Sequence, residues 1–255
     1  QIETPGSLPT LFYPTQPGTL DEPGQRHVPI TDSAHGLPEL GSTAPVAAGG
    51  FSIDLSIDPQ WSEQIQGIIR DAADLWERVI VGDLTDQQYN GNPIDDMYIE
   101  VYYGIMGEPG GTDGPGGTLG NANTGIGGNP GLRPQGDDNE FLPFLGRIGI
   151  DPADAGGPGF YETMVHEIGH TLGFTNSSYA LNLISGTQDT YLGWNGPNAI
   201  REYQKLNPNA VDVPIELEFG PGSAFVHWDE GEFDTEIMTP ISDGAGSPLS
   251  LLTIA

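Results

Sequence analysis

The run His166-Glu167-Ile168-Gly169-His170 places two imidazoles and a carboxylate within five residues. On a helix, positions four apart lie one turn apart on the same face. Both rings can then reach one tetrahedral zinc ion, at about 2.0–2.1 Å from each nitrogen. Glu167 directly follows the first ligand, so it can stand beside the metal without binding it. There it can take a proton from zinc-bound water, the role of a general base in hydrolysis. Met164, Val165, Ile168 and Leu172 are apolar, so the remaining faces of the helix can be buried, which is the context the motif requires. The same five-residue pattern also occurs in helices where its His and Glu are merely surface groups. Gly173 supports the metal reading, because glycine there lets the chain leave the helix sharply at little conformational cost.

Two imidazoles alone make a labile site. The compact zinc pattern would put a third histidine at position 176, which is Asn176, an amide and a poor zinc ligand beside imidazole. His27 and His35 lie in an N-terminal stretch and read as solvated groups. His227 remains, in Ala224-Phe225-Val226-His227-Trp228-Asp229-Glu230, shortly before Glu236-Ile237-Met238-Thr239-Pro240.

The elements that must position these residues can be read in outline. Residues 1–50 are rich in Pro, Gly, Ser and Thr, and Pro5, Pro9, Pro14, Pro17 and Pro23 exclude a continuous helix there. They read as an extended arm or pro-segment. Phe51 to Asp58 alternates apolar and polar residues, a strand pattern. Apolar residues at helical spacing from Trp61 to Ile80 predict a helix over about 59–81, with Pro59 in its first turn and Gly82-Asp83 ending it. A strand is expected over 97–105, a Gly-rich loop over 107–140, a short strand over 144–151 and the zinc helix over 158–174.

Composition narrows the function classes. Asp and Glu number 36 against 7 Lys and Arg, a formal charge of −29, and cysteine is absent. Such a chain is repelled by nucleic acid and anionic membranes. No apolar run approaches the roughly 20 residues of a membrane span. Neither disulfides nor thiolate ligands are available. Gly116-Gly117-Thr118-Leu119-Gly120 lacks the Lys-Ser/Thr of a phosphate loop. No calcium loop of the usual pattern is present. A structural calcium ion is therefore a secondary expectation, resting on Asp137, Asp138, Asn139 and Glu140, or on Asp151 and Asp154.

The late histidine followed by a Met-containing turn resembles the leishmanolysin-type branch of the metzincins, in particular its cysteine-free bacterial relatives. In that branch an insertion separates the helix-exit glycine from the third histidine; the matching residues are His166, Glu167, His170 and Gly173, then His227-Trp228 and Glu236-Ile237-Met238-Thr239. Further similarity covers 72–84, 117–122, Leu142-Pro143, 191–199 and 213–215, so it extends over about 51–255. The resemblance implies an α+β fold, with a twisted mixed sheet and helices in an upper lobe (51–176) and an irregular lower lobe (177–255) carrying the Met-turn. It implies zinc held by His166, His170 and His227, Glu167 as catalytic base, Met238 as an apolar floor, and a secreted endopeptidase acting on protein or peptide substrates. Latency through the arm, by Asp21 or Glu22, is a further expectation. The rival reading is a non-catalytic extracellular structural or adhesive protein that keeps the fold and metal. Oligomeric state and cleavage specificity are not legible.

Overall fold

Ile53, Leu55 and Ile57 alternate with Asp54 and Ser56 and form strand β1 (Ile53–Ile57), with the two polar residues exposed. The computed structural model describes residues 50–105, 110–175, 182–187, 191–220 and 223–255. The expected arm, with Asp21, Glu22, His27 and His35, lies outside these residues, as does Asn176, apart from Gly50.

Helix α1 (Glu63–Val79) follows β1. It starts later than expected: Pro59 sits in a preceding turn, and the Ser62 side chain caps the helix by accepting from the Ile65 N–H at 3.3 Å. It ends before Gly82, with Ile80 already extended. Its buried stripe is Ile69, Ala72, Ala73 and Trp76.

A hairpin, β2 (Gln87–Tyr89) and β3 (Asn92–Ile94), comes next. It turns on Asn90 and Gly91, both at positive φ (51° and 80°). Asn-Gly is the strongest short-range hairpin signal, and here it sets a two-residue turn between β2 and β3. Strands β4 (Met97–Tyr103), β5 (Gly120–Thr124) and β6 (Leu145–Ile150) complete a four-stranded sheet in the order β1-β4-β6-β5. β1, β4 and β6 run parallel, and β5 runs antiparallel at the edge, so the sheet is mixed. β5 was expected to be loop. Its sequence, Gly-Asn-Ala-Asn-Thr, has no apolar alternation, because an edge strand takes its hydrogen bonds from β6 without burying a full face.

Helix α2 (Phe160–Thr171) packs with α1 on one face of this sheet. The Trp76 indole N–H donates to the Val165 carbonyl at 3.0 Å in the core, locking the two helices together. Met97, Ile99, Val101, Ile148 and Ile150 meet Ile69, Met164 and Ile168 in the shared core. β6 passes close under α2: a Cβ on Gly146 would lie 2.5 Å from the Thr171 Cβ.

The remaining chain is less irregular than expected. Strands β7 (Ile184–Thr187), β8 (Tyr191–Trp194) and β9 (Val213–Pro214) form an antiparallel sheet in that order, with helix α3 (Pro197–Tyr203) between β8 and β9. Two one-turn helices follow, α4 (Glu230–Phe233) and α5 (Leu251–Ile254). The molecule is thus α+β, and no helix among the described residues is long and apolar enough to cross a membrane.

Crowded carboxyls mark the start of α4. Burial, then the Glu216 charge, pushes Asp229 up to about 6. Burial, with Asp243 and Asp234 adding to it, pushes Glu230 up to about 7. The folded state holds these protons more tightly than the unfolded chain, so unfolding releases protons. The stability these two groups contribute is therefore lost as pH rises from the ordinary carboxylate range through about 7.

Two outcomes are expected. Between pH 5 and pH 8 the melting temperature of metal-free Glu230→Gln falls less, or rises more, than that of the metal-free wild type; identical pH dependence in the two would remove Glu230 as a titrating contributor. Gly146→Ala lowers stability by about 1–3 kcal/mol through overpacking between β6 and α2, read as a lower urea midpoint.

Candidate metal centre

The site begins with the geometry of α2. His166 and His170 share one face of the helix. The chain leaves the helix through Gly173, whose φ of 131° favours glycine. That exit swings the Phe174 carbonyl back so that it accepts from His170 Nδ1 at 2.6 Å. His166 Nδ1 donates to the Ile237 carbonyl at 2.6 Å. His227 Nδ1 donates to the Ser223 carbonyl at 2.8 Å. A backbone carbonyl can only accept, so each ring carries its proton on Nδ1 and presents a lone pair on Nε2.

Those three lone pairs converge. The Nε2 atoms are 3.0 Å apart for His166 and His170, 3.1 Å for His170 and His227, and 3.1 Å for His166 and His227. With Nδ1 holding each proton, none of these approaches is a hydrogen bond. Three acceptors face one another, an arrangement that a cation between them makes favourable. The triad can therefore hold a metal ion. His170 and His227 are buried and His166 is open to the cleft. Burial lowers the pKa of all three, with His227 down to about 3 and His170 well below its ordinary value. The rings are thus kept in the neutral form that ligates metal.

His227 arrives from a loop held by main-chain bonds. The Glu216 N–H donates to the His227 carbonyl at 2.9 Å, and the Phe225 N–H to the Glu216 carbonyl at 2.8 Å. Phe225 pays for this turn with a left-handed φ of 74°. The next residue, Trp228, donates its N–H to the Met238 carbonyl at 3.0 Å. The 236–239 turn therefore touches the site from several sides. Its Ile237 carbonyl orients His166, its Met238 carbonyl anchors the His227 loop, and the buried Met238 sulfur packs against Gly169, where a Cβ would lie 2.7 Å away. Met238 thus packs against α2, the helix that carries His166 and His170.

Glu236 holds that turn. Its buried carboxylate accepts from the Met238 N–H at 2.6 Å, Ser250 Oγ at 2.7 Å and Thr253 Oγ1 at 2.5 Å. Thr253 Oγ1 also accepts from the Trp228 indole at 2.8 Å. Sequence reading quoted Glu236 as part of a pattern but assigned it no role. Ser250 and Thr253, far from the motif, carried no signal at all.

Glu167 is buried beside the triad. Its Oε2 has no hydrogen-bond partner among the described residues, and its Oε1 lies 2.9 Å from where a Cβ on Gly120 would stand. Burial pushes its pKa up to about 8. The carboxylate faces a cleft of roughly 830 Å³ bounded by Gly116–Asn123, the exposed face of α2, the loop around His227 and residues 236–242. Gly120 is a site residue that the sequence reading placed in a loop.

The calcium candidates come out differently. Asp137 caps its own turn by accepting from the Asn139 N–H, and Glu140 accepts from the Gly136 N–H. Asp151 accepts from the N–H groups of Asp113 and Ala153, and Asp154 from that of Gly116. These carboxylates are engaged by loop N–H groups and form no metal-like group of three among the described residues, while Asp154 Oδ2 is buried without a hydrogen-bond partner. Among the described residues the other group with metal-like spacing is Asp83, Asp95 and Asp96, of which two are exposed. Asp96 already accepts from the N–H groups of Ser52 and Leu84.

The geometry predicts metal affinities. His227→Ala abolishes the rise in melting temperature on adding zinc or cobalt, because a ligand that binds only the folded state raises its stability. Gly173→Ala shifts the Phe174 carbonyl from His170 and weakens metal binding by about 10–100-fold with every ligand in place. Competition titration against a chelator measures both, and wild-type affinity in either variant contradicts the assignment. No protein-family model matches this chain, and no curated protein matches its sequence.

Proposed function

We propose that this chain is a zinc-dependent endopeptidase of the leishmanolysin-like metzincin type that acts outside the cell. The observation that carries the reading is the convergence of three Nε2 lone pairs beside an unpartnered, buried Glu167 carboxylate on an open cleft.

The donor set fits zinc. Three neutral imidazoles are a common catalytic zinc set, and tetrahedral bonds of about 2.0–2.1 Å put neighbouring nitrogens about 3.3 Å apart. The observed 3.0–3.1 Å is a small contraction from that spacing. Structural zinc sites use four protein ligands and have no need of a base. Three ligands with an adjacent carboxylate therefore favour turnover over the structural or adhesive alternative. His166, His170 and His227 would hold the ion. When bound, zinc supplies Lewis acidity toward water and a carbonyl, and a positive charge that opposes the burial-driven rise in the Glu167 pKa.

The protein's own residues supply the rest. β5 is the edge strand of the sheet and lines the cleft, so an extended peptide can add beside it by main-chain pairing. Gly120 in that strand leaves room for the Glu167 carboxylate. Glu167 takes a proton from the attacking water and delivers it to the leaving amine. The carbonyls of Phe174, Ile237 and Ser223 keep the three rings in the correct tautomer throughout.

Glu167→Ala should retain zinc and lose peptide hydrolysis by about 10²–10⁴-fold. Full activity in that variant would overturn the assigned base. Gly120→Ala should also lower the rate at unchanged zinc content, because the added methyl displaces the flexible end of Glu167. Both are read by cleavage of a quenched fluorescent peptide alongside metal analysis.

A further inference from the structure

Glu162 lies four residues before His166 and therefore one turn along the same face of α2. It lines the cleft. Its Oε1 accepts from the Gly246 N–H at 2.8 Å, which ties α2 to the loop after Met238. The same loop is seated on the start of α2, where a Cβ on Gly159 would lie 2.7 Å from the Gly244 Cα. Between helix and loop, the cleft wall is made of Pro240, Ile241, Ser242 and Ser247, with Glu162 on the helix side.

The chemistry of this wall is one-sided. No lysine or arginine is among the residues lining the cleft. The ion pairs among the described residues join Arg201 and Lys205 to Glu202, so Glu162 has no cationic partner there. Ile241 is 45% exposed and offers an apolar surface beside polar Ser242 and Ser247. A lysine or arginine side chain suits such a wall, because its methylene stem can lie on Ile241 while its charged head reaches the carboxylate. An acidic side chain beside Glu162 would meet its charge with no lysine or arginine of the cleft to offset the repulsion, on a protein of net charge −29.

We infer that Glu162 is a specificity-determining residue that selects a cationic side chain, lysine or arginine, beside the scissile bond. The inference deepens the peptidase reading and rests on it. A merely structural Glu162 would clamp the 240–247 loop and nothing more. Glu162→Gln separates the two roles, since its amide oxygen can still accept from Gly246 while the charge is gone.

The experiment uses the zinc-loaded full chain and a set of peptides identical except for lysine, norleucine or glutamate walked through the positions flanking the cleaved bond. At one position the wild type should favour lysine over norleucine by at least about tenfold in kcat/KM. That preference should weaken with added salt. In Glu162→Gln the lysine-to-norleucine ratio should collapse to within about twofold, and Glu162→Lys should favour glutamate. Equal wild-type rates for lysine and norleucine at every position would overturn the inference, as would a preference that survives Glu162→Gln. Fluorescence anisotropy with the same peptides reads binding without turnover. Lysine-selective binding with no cleavage of any peptide would sink the peptidase reading and keep the role of Glu162. Equal binding of lysine and norleucine peptides would sink the inference whether or not cleavage occurs.

Discussion

Three imidazole lone pairs pointed at one another are the constraint around which the rest of this molecule is arranged. In water the three rings would turn apart. Here each is pinned from behind by a backbone carbonyl, of Phe174, Ile237 or Ser223. Backbone carbonyls cannot donate, so they settle the tautomer as well as the direction of each ring. Neutral, buried and convergent, the rings form a centre whose unfavourable mutual approach is relieved by a cation. The folding energy of the surrounding chain therefore holds together a site that could take a metal ion.

The pinning carbonyls come from three separate places in the chain, and one short turn coordinates two of the rings. Residues 236–239 hold His166 directly and the His227 loop through Trp228, and the Met238 side chain seats itself under Gly169. Because Glu236 also binds Ser250 and Thr253, the C-terminal residues of the described chain are part of the support. A carboxylate buried this fully is tolerable because its lone pairs are satisfied by several donors. Glu167, on the other side of the centre, is the contrasting case. It is buried with an oxygen left without a partner, a costly condition that persists at sites of function.

The sheet contributes by position more than by chemistry. Three parallel strands carry the core, and α2 lies across their inner face, with Gly146 allowing close contact. The antiparallel edge strand β5 then forms one wall of the cleft. Gly120 is small because Glu167 occupies the space a side chain would need.

Much of the local chemistry was legible in the residues. The i, i+4 spacing of His166 and His170, the helix-exit Gly173 and the apolar rhythms of β1, α1, β4 and β6 depend on short-range geometry that sequence periodicity encodes. β5 was not legible, because an edge strand in a Gly- and Asn-rich stretch is made by hydrogen bonds to a partner that periodicity does not report. The hairpin at Asn90-Gly91 was legible and was passed over. The carboxylates considered for calcium form no metal-like group of three among the described residues, because proximity in sequence does not by itself make carboxylates converge; Asp137, Glu140, Asp151 and Asp154 accept from loop N–H groups. His227 could be singled out by residue type and by its neighbours. Whether its ring meets the helix pair, with its proton on the far nitrogen, was a matter for tertiary structure, since long-range main-chain bonds around Glu216, Ser223 and Met238 set the position of that loop. Sequence by itself determined which residues are able to bind and to move protons. Only the fold decided which of them share a point in space.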